Sequence, residues 1–191
     1  MFYYTFKKTM FLVVAFFLLA WVAQPVFAKD EVRYTKYNVH TQSKNGKTYK
    51  ASYANYTNPG QGHVIIPAGS EILIVDKSRK SFTFKFDNDS KKVVYEFHKS
   101  RMGMSLDEYI DKVTSTQPVS FDNLSGQDKK GVADGKAYQG MTREGVMVAL
   151  GYPATHRTPT LEATTWIYWT NRFGTFAVDF GPDGLVSVMR D

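Results

Sequence analysis

The apolar positions of this chain follow two periods, and the change from one to the other is the first clue to its organisation. From Glu31 to about His98 the alternation is that of strands. "VRYTKYNVHTQSK" and "KTYKASYANY" flank Asn45-Gly46, a dipeptide that readily takes positive φ and is a strong hairpin signal. In "HVIIPAGSEILIVD", the runs Val64-Ile65-Ile66 and Ile72-Leu73-Ile74-Val75 predict two buried strands, with a turn preset by Pro67. "SFTFKF" places Phe82, Phe84 and Phe86 on one face, and "VVYEFH" answers with Val93, Tyr95 and Phe97. Asp87-Asn88-Asp89-Ser90 is the expected turn between them. Short, closely spaced strands with tight turns predict a small barrel or sandwich over residues 29–113.

The period then lengthens. "SLDEYIDKVTS" predicts a short helix: Ser105 with Glu108 three residues on is a capping box, and Tyr109, Ile110 and Val113 form its apolar stripe. Residues 114–134 are rich in Ser, Asp, Gly and Lys and are expected as a linker. "GMTREGVMVALGYP" predicts a second helix with defined ends. Thr142 caps it, Met141 and Val146 staple it, Gly151 takes a left-handed stop, and Pro153 blocks continuation. Gly145 is a poor helix former and points to close backbone packing. "TTWIYWT", "TFAVDF" and "LVSVMR" then predict a three-stranded antiparallel meander. The expected fold class is α+β: a small N-terminal barrel or sandwich, then a helix plus three-stranded sheet over residues 135–191.

Composition places this fold in a compartment. Lys7-Lys8, the apolar run Met10 to Ala23, and Val26-Phe27-Ala28 read as a secretory signal over residues 1–28, cleaved after Ala28. The run is shorter than the ~20 residues that span a bilayer. An exported chain without cysteine has no disulfide and no lipid anchor on a cysteine, which suits a periplasmic protein that is not a lipoprotein. A net charge of +6 falls to about +4 with the signal removed, which is mild. Export argues against nucleic acid as partner. A basic surface can still contact anionic lipid or cell-wall polymer.

A search for chemistry returns little. His40, His63, His98 and His156 share no ligand spacing, so no metal or cofactor is expected. There is no serine elbow and no phosphate-cradling glycine loop. Asp107 and Glu108 are adjacent at a helix start, where acids complement the dipole and do not face each other. The residues therefore predict no catalytic site, although one assembled from distant positions stays open. Tyr34, Tyr37, Tyr49, Tyr53 and Tyr56 are either cross-strand packing or a sugar-stacking surface.

Two resemblances add to this reading. "IPAGSEILI" resembles the strand-turn-strand of bacterial Src-homology-type barrels, some of which bind cell wall. Gly140-Met141-Thr142, Val146 to Leu150, Gly151-x-Pro153, Trp166-x-Tyr168 and "TFAVDFGPDGLV" together resemble the SmpA/OmlA (BamE-like) envelope proteins over about residues 126–191. That resemblance implies a helix-then-meander fold shared with β-lactamase-inhibitor-type domains. It also implies a non-enzymatic, protein-binding role in outer-membrane assembly or maintenance. The chain departs from the family in lacking a lipid-bearing cysteine and in carrying the β-rich N-terminal part. The family's first helix would fall in "QDKKGVADGKAYQ", where Gly131 and Gly135 disfavour a helix. The expected function is binding of an envelope protein partner through Trp166, Ile167, Tyr168, Trp169, Arg172 and Phe173. The alternatives are a cell-wall or polyanion-binding module carried by the N-terminal β domain, and a hydrolase with a non-local site.

Overall fold

The computed structural model describes residues 31–43, 45–86, 88 and 90–191. The expected signal, residues 1–28, lies outside the described residues, as do Lys44, Asp87 and Asp89. The elements are β1 (Glu31–Thr35), β2 (Val39–Ser43), β3 (Thr48–Ser52), β4 (His63–Ile66), β5 (Glu71–Ser78), β6 (Ser81–Phe86), β7 (Lys91–Glu96), α1 (Lys99–Met102), α2 (Leu106–Val113), β8 (Thr114–Ser115), α3 (Gly126–Asp134), α4 (Arg143–Leu150), β9 (Thr165–Trp169), β10 (Thr175–Phe180) and β11 (Val186–Arg190). No helix among the described residues is long and apolar enough to cross a membrane.

This architecture corrects the α+β expectation of a small N-terminal barrel or sandwich followed by a helix plus three-stranded sheet. The described chain is mostly β, with a curled, mixed eight-stranded sheet, a separate three-stranded sheet and short helices. The large sheet runs β4-β2-β3-β7-β6-β5-β1-β8. Its hairpins form where alternation placed them: β6 pairs antiparallel with β7, setting Phe84 against Val93 and Phe82 against Tyr95. The junctions between hairpins are what pattern alone does not reveal. β3 joins β7 in parallel, from Thr48 against Lys92 to Ser52 against Glu96. The runs around "PAG" do not pair with each other: β4 pairs with β2, and β5 with β1 and β6. Each of these runs is buried on one face only, with Ile66, Ile72 and Ile74 inward and Val64 out.

Two short connections force the curl. β1 and β2 are joined by residues 36–38 yet stand five strand positions apart, as do β4 and β5, joined by residues 67–70. Five interstrand steps of a flat sheet span about 24 Å. The extended connections reach only about 14 and 18 Å. The sheet must therefore bend until those strand ends approach. Thr35 and Pro67 mark that approach: the Thr35 hydroxyl at the end of β1 donates to the carbonyl of Pro67, just past β4, at 2.9 Å. Helix α2, with the expected Ser105–Glu108 capping box, lays Tyr109, Ile110 and Val113 into the concave core beside Phe82, Phe84 and Tyr95.

A second core lies between α3, α4 and the sheet β11-β10-β9. The segment expected as a linker, residues 114–134, contains β8 and α3. Gly131 and Gly135 do not prevent this helix. Gly135 ends it in the left-handed conformation, and a β-carbon on Gly131 would collide with Met141. The bare turn at Gly131 is what lets α4's staple residue sit fully buried against α3.

The fenced helix α4 is tied at both ends. Thr142 caps it as expected, accepting from the Gly145 amide at 2.9 Å. Above the cap sits Asp128 of α3, 1% exposed. Its carboxylate accepts from the Thr142 amide (2.8 Å) and hydroxyl (3.1 Å), and from the Ser125 amide (3.2 Å) and hydroxyl (2.8 Å). One buried charge thus serves two helix N-termini, where both dipoles favour it. Gly145 is glycine because a β-carbon there would meet Asp128 Oδ1.

At the other end, the last four carbonyls of a helix lack partners within it. Gly151 N–H takes Met147 O (2.8 Å) and Asn38 N–H takes Val148 O (2.8 Å). Ala149 O receives His40 Nε2 (3.0 Å) and Asn38 Nδ2 (3.2 Å), and Leu150 O receives Asn55 Nδ2. Three of the four carbonyls are therefore satisfied by the β1–β2 connection, by β2 and by the loop that follows β3. Gly151 is not left-handed as expected: φ +87°, ψ 174° is a region essentially reserved for glycine.

Candidate functional site

Strand alternation divides the six expected contact residues. Trp166 (1% exposed) and Tyr168 (2%) point inward and build the second core. Trp166 meets Phe180 edge-on at 4.8 Å and donates from Nε1 to Leu161 O at 3.2 Å. Tyr168 stacks on Phe176 and donates from Oη to Gly151 O at 3.3 Å; burial pushes its pKa well up. These two side chains hold the sheet to α4 and are closed to a partner.

Ile167 and Trp169 occupy the opposite face and are half-buried. The amide of Ile167 donates to Thr158 Oγ1 at 3.0 Å. Trp169 packs against the core of the large sheet, its ring stacked on His156 at 6.3 Å with the Arg157 guanidinium 5.5 Å from its centre. The outer edge of β9 is covered by the loop after β3: Thr57 N–H donates to Trp169 O (3.0 Å) and Asn58 N–H to Thr170 O (2.8 Å).

Arg172 and Phe173 stand free in the turn between β9 and β10. Phe173 is 88% exposed. The turn is held by Asn171, whose Oδ1 accepts from the amides of Phe173 (2.9 Å) and Gly174 (3.1 Å). Arg172 lies 5.2 Å from the Phe173 ring centre. Beneath them runs a groove of about 580 Å³ lined by Gln42, Tyr56, Asn58, Pro59, Arg172 and Phe173. Gln42 Nε2 braces its far wall through Pro59 O and Gln61 O, both at 3.0 Å.

Next to the groove is a cluster that local spacing does not reveal. Arg101 donates to Tyr53 Oη at 2.7 Å, and the Tyr53 ring lies within 6.4 Å of both His98 and His156. Burial and then the charges of Arg101 and Arg157 lower the His156 pKa, the mark of a locally positive field. The two buried side-chain polar atoms without a hydrogen-bond partner among the described residues, Trp169 Nε1 and Thr155 Oγ1, both belong to this neighbourhood. Of the five N-terminal tyrosines, Tyr49 and Tyr53 are buried, while Tyr34, Tyr37 and Tyr56 are half-buried.

The histidines assemble in two pairs. His40 Nδ1 lies 3.1 Å from His63 Nε2, and His40 is 2% exposed. His98 and His156 flank Tyr53. Among the described residues no group of three or more His, Cys, Asp or Glu is placed to hold a metal ion. His98 Nδ1 lies 3.2 Å from Ser100 Oγ, with no carboxylate hydrogen-bonded to either among the described residues. Against protein-family models, curated proteins and solved structures, the chain gives no match.

Proposed function

We propose that this chain is a non-enzymatic exported protein of the bacterial envelope that works as a protein-binding module, in outer-membrane assembly or maintenance. The contact is the Phe173 turn with its groove. One observation carries the reading: a large apolar side chain, 88% exposed, is held out on a turn stiffened by Asn171. Exposing an aromatic ring on a rigid turn has a cost that a partner relieves by burying it, and such anchors dominate interface energies. Of the six expected residues, Arg172 and Phe173 carry the contact, joined by Tyr56 and Pro59 of the groove wall. Trp166 and Tyr168 act as the frame behind them. The envelope setting comes from the signal-like N-terminus and the resemblance to SmpA/OmlA proteins.

The test is a photo-crosslinking side chain at position 173 in the native cell. A discrete protein adduct is expected, absent when the crosslinker stands at exposed Lys50 on β3. Adducts of equal yield and identity at both positions refute the assignment. Sedimentation with purified peptidoglycan tests the cell-wall alternative, since a protein-binding module stays in the supernatant.

A further inference from the structure

The groove under Phe173 and the arginine cluster form one surface. Tyr56 lines the groove with Arg172, and the next amide, Thr57 N–H, donates to Trp169 O at 3.0 Å; the Trp169 ring centre lies 5.5 Å from the Arg157 guanidinium. Arg101 donates to Tyr53 Oη at 2.7 Å, and its carbonyl accepts from the His156 amide at 3.0 Å. We propose that this surface, from Arg172 across Tyr56 and Arg101 to Arg157, takes an acidic segment of a partner protein, one apolar side chain of which seats in the groove beneath Phe173. The inference rests on the binding-module reading above and specifies the chemistry of its partner.

Charge is the first support. Arg101, Arg157 and Arg172 form no ion pair among the described residues, whereas Arg33 and Arg190 are both paired to carboxylates. Guanidinium groups favour planar, two-pronged acceptors, and carboxylates fit that geometry.

Shape decides between an acidic peptide and an anionic glycan. Sugars bind to flat, open aromatic faces. Here Tyr53 is buried, and the ring of Trp169 is engaged by His156 and Arg157. The open ring is Phe173, over a groove walled by Pro59 and Tyr56, which suits a single inserted side chain.

The test uses the full chain and two short synthetic peptides, one rich in Asp and Glu with a single leucine, the other its Asn/Gln counterpart. Fluorescence polarisation should show binding of the acidic peptide only, weakening as salt rises from about 50 to about 300 mM. Arg157→Glu with Arg172→Glu should weaken it at least about tenfold. Circular dichroism should show the variant as folded as the parent. In proton NMR the His156 titration midpoint should move up when the acidic peptide binds, because added negative charge favours imidazolium. Equal binding of the neutral peptide, an unaffected double variant, or binding of polyphosphate without the acidic peptide each overturns the inference. If the position-173 crosslink survives both charge reversals, the acidic-segment inference falls and the binding-module reading stands. If the crosslink is absent in the parent, the binding-module reading falls and the inference falls with it.

Discussion

Acidification should loosen the joint between α4 and the large sheet through one residue, His40. In the folded chain His40 is 2% exposed, donates from Nε2 to Ala149 O, and presents Nδ1 to His63 Nε2. This fixes both rings as Nε2–H tautomers at neutral pH. Protonation adds a hydrogen to Nδ1, setting donor against donor unless His63 changes tautomer. Burial chiefly, and then the His63 ring, lower the His40 pKa from 6.5 to about 4. A histidine depressed in the folded state is protonated more readily in the unfolded chain. Its contribution is therefore complete above pH 6.5 and is lost as pH falls toward 4. At 1.36 kcal/mol per pKa unit, the loss is about 2 kcal/mol at pH 5 and about 3 kcal/mol at pH 4. Urea unfolding of the parent and of His40→Gln between pH 7 and pH 4 isolates the effect, since all other titrating groups are common to both. Glutamine retains a donor toward Ala149 O without titrating here, so its stability should fall by about 3 kcal/mol less over the same range. Equal losses for the two proteins, or a folded-state His40 midpoint near 6.5 by NMR, refute the reasoning.

Three further outcomes follow from packing. Gly151→Ala should cost about 3 kcal/mol in denaturant unfolding, because φ +87°, ψ 174° excludes a β-carbon that would also strike Asn55 Nδ2. Asp128→Ala should cost at least about 3 kcal/mol, against about 1 kcal/mol for Thr142→Ala, since it strips two helix N-termini of a shared acceptor. Phe173→Ala should leave the unfolding free energy within about 0.5 kcal/mol of the parent in urea unfolding, because its side chain supports no core; a larger loss would refute its free exposure.

What could be read from sequence was whatever depended on neighbours a few residues apart. The Ser105–Glu108 box, the Thr142 cap and the facing rows of β6 and β7 are set by local periodicity and hydrogen-bonding chemistry, and each stands where periodicity placed it. The parallel junction of β3 with β7 has no local signature, since nothing in either strand names its partner. Gly131 shows the limit of propensity: its intrinsic cost to a helix is outweighed by the fit of Met141 against its bare backbone. In "WIYW" the alternation was legible, but which face was closed was not, because that depends on α4 and on the loop after β3. Arg101 and Arg157 were silent for the same reason, being brought to Tyr53 and Trp169 from distant segments.

The way α4 ends has a consequence in time. Its carbonyls are completed by Asn38, His40 and Asn55, which lie 95 to 111 residues earlier in the chain. As synthesis proceeds, those side chains appear long before the carbonyls they will satisfy, and the end of α4 is capped only when a long loop closes. Contacts so distant along the chain slow folding. The cap on α4 is therefore a long-range contact, and through it the completion of one core is tied to the other.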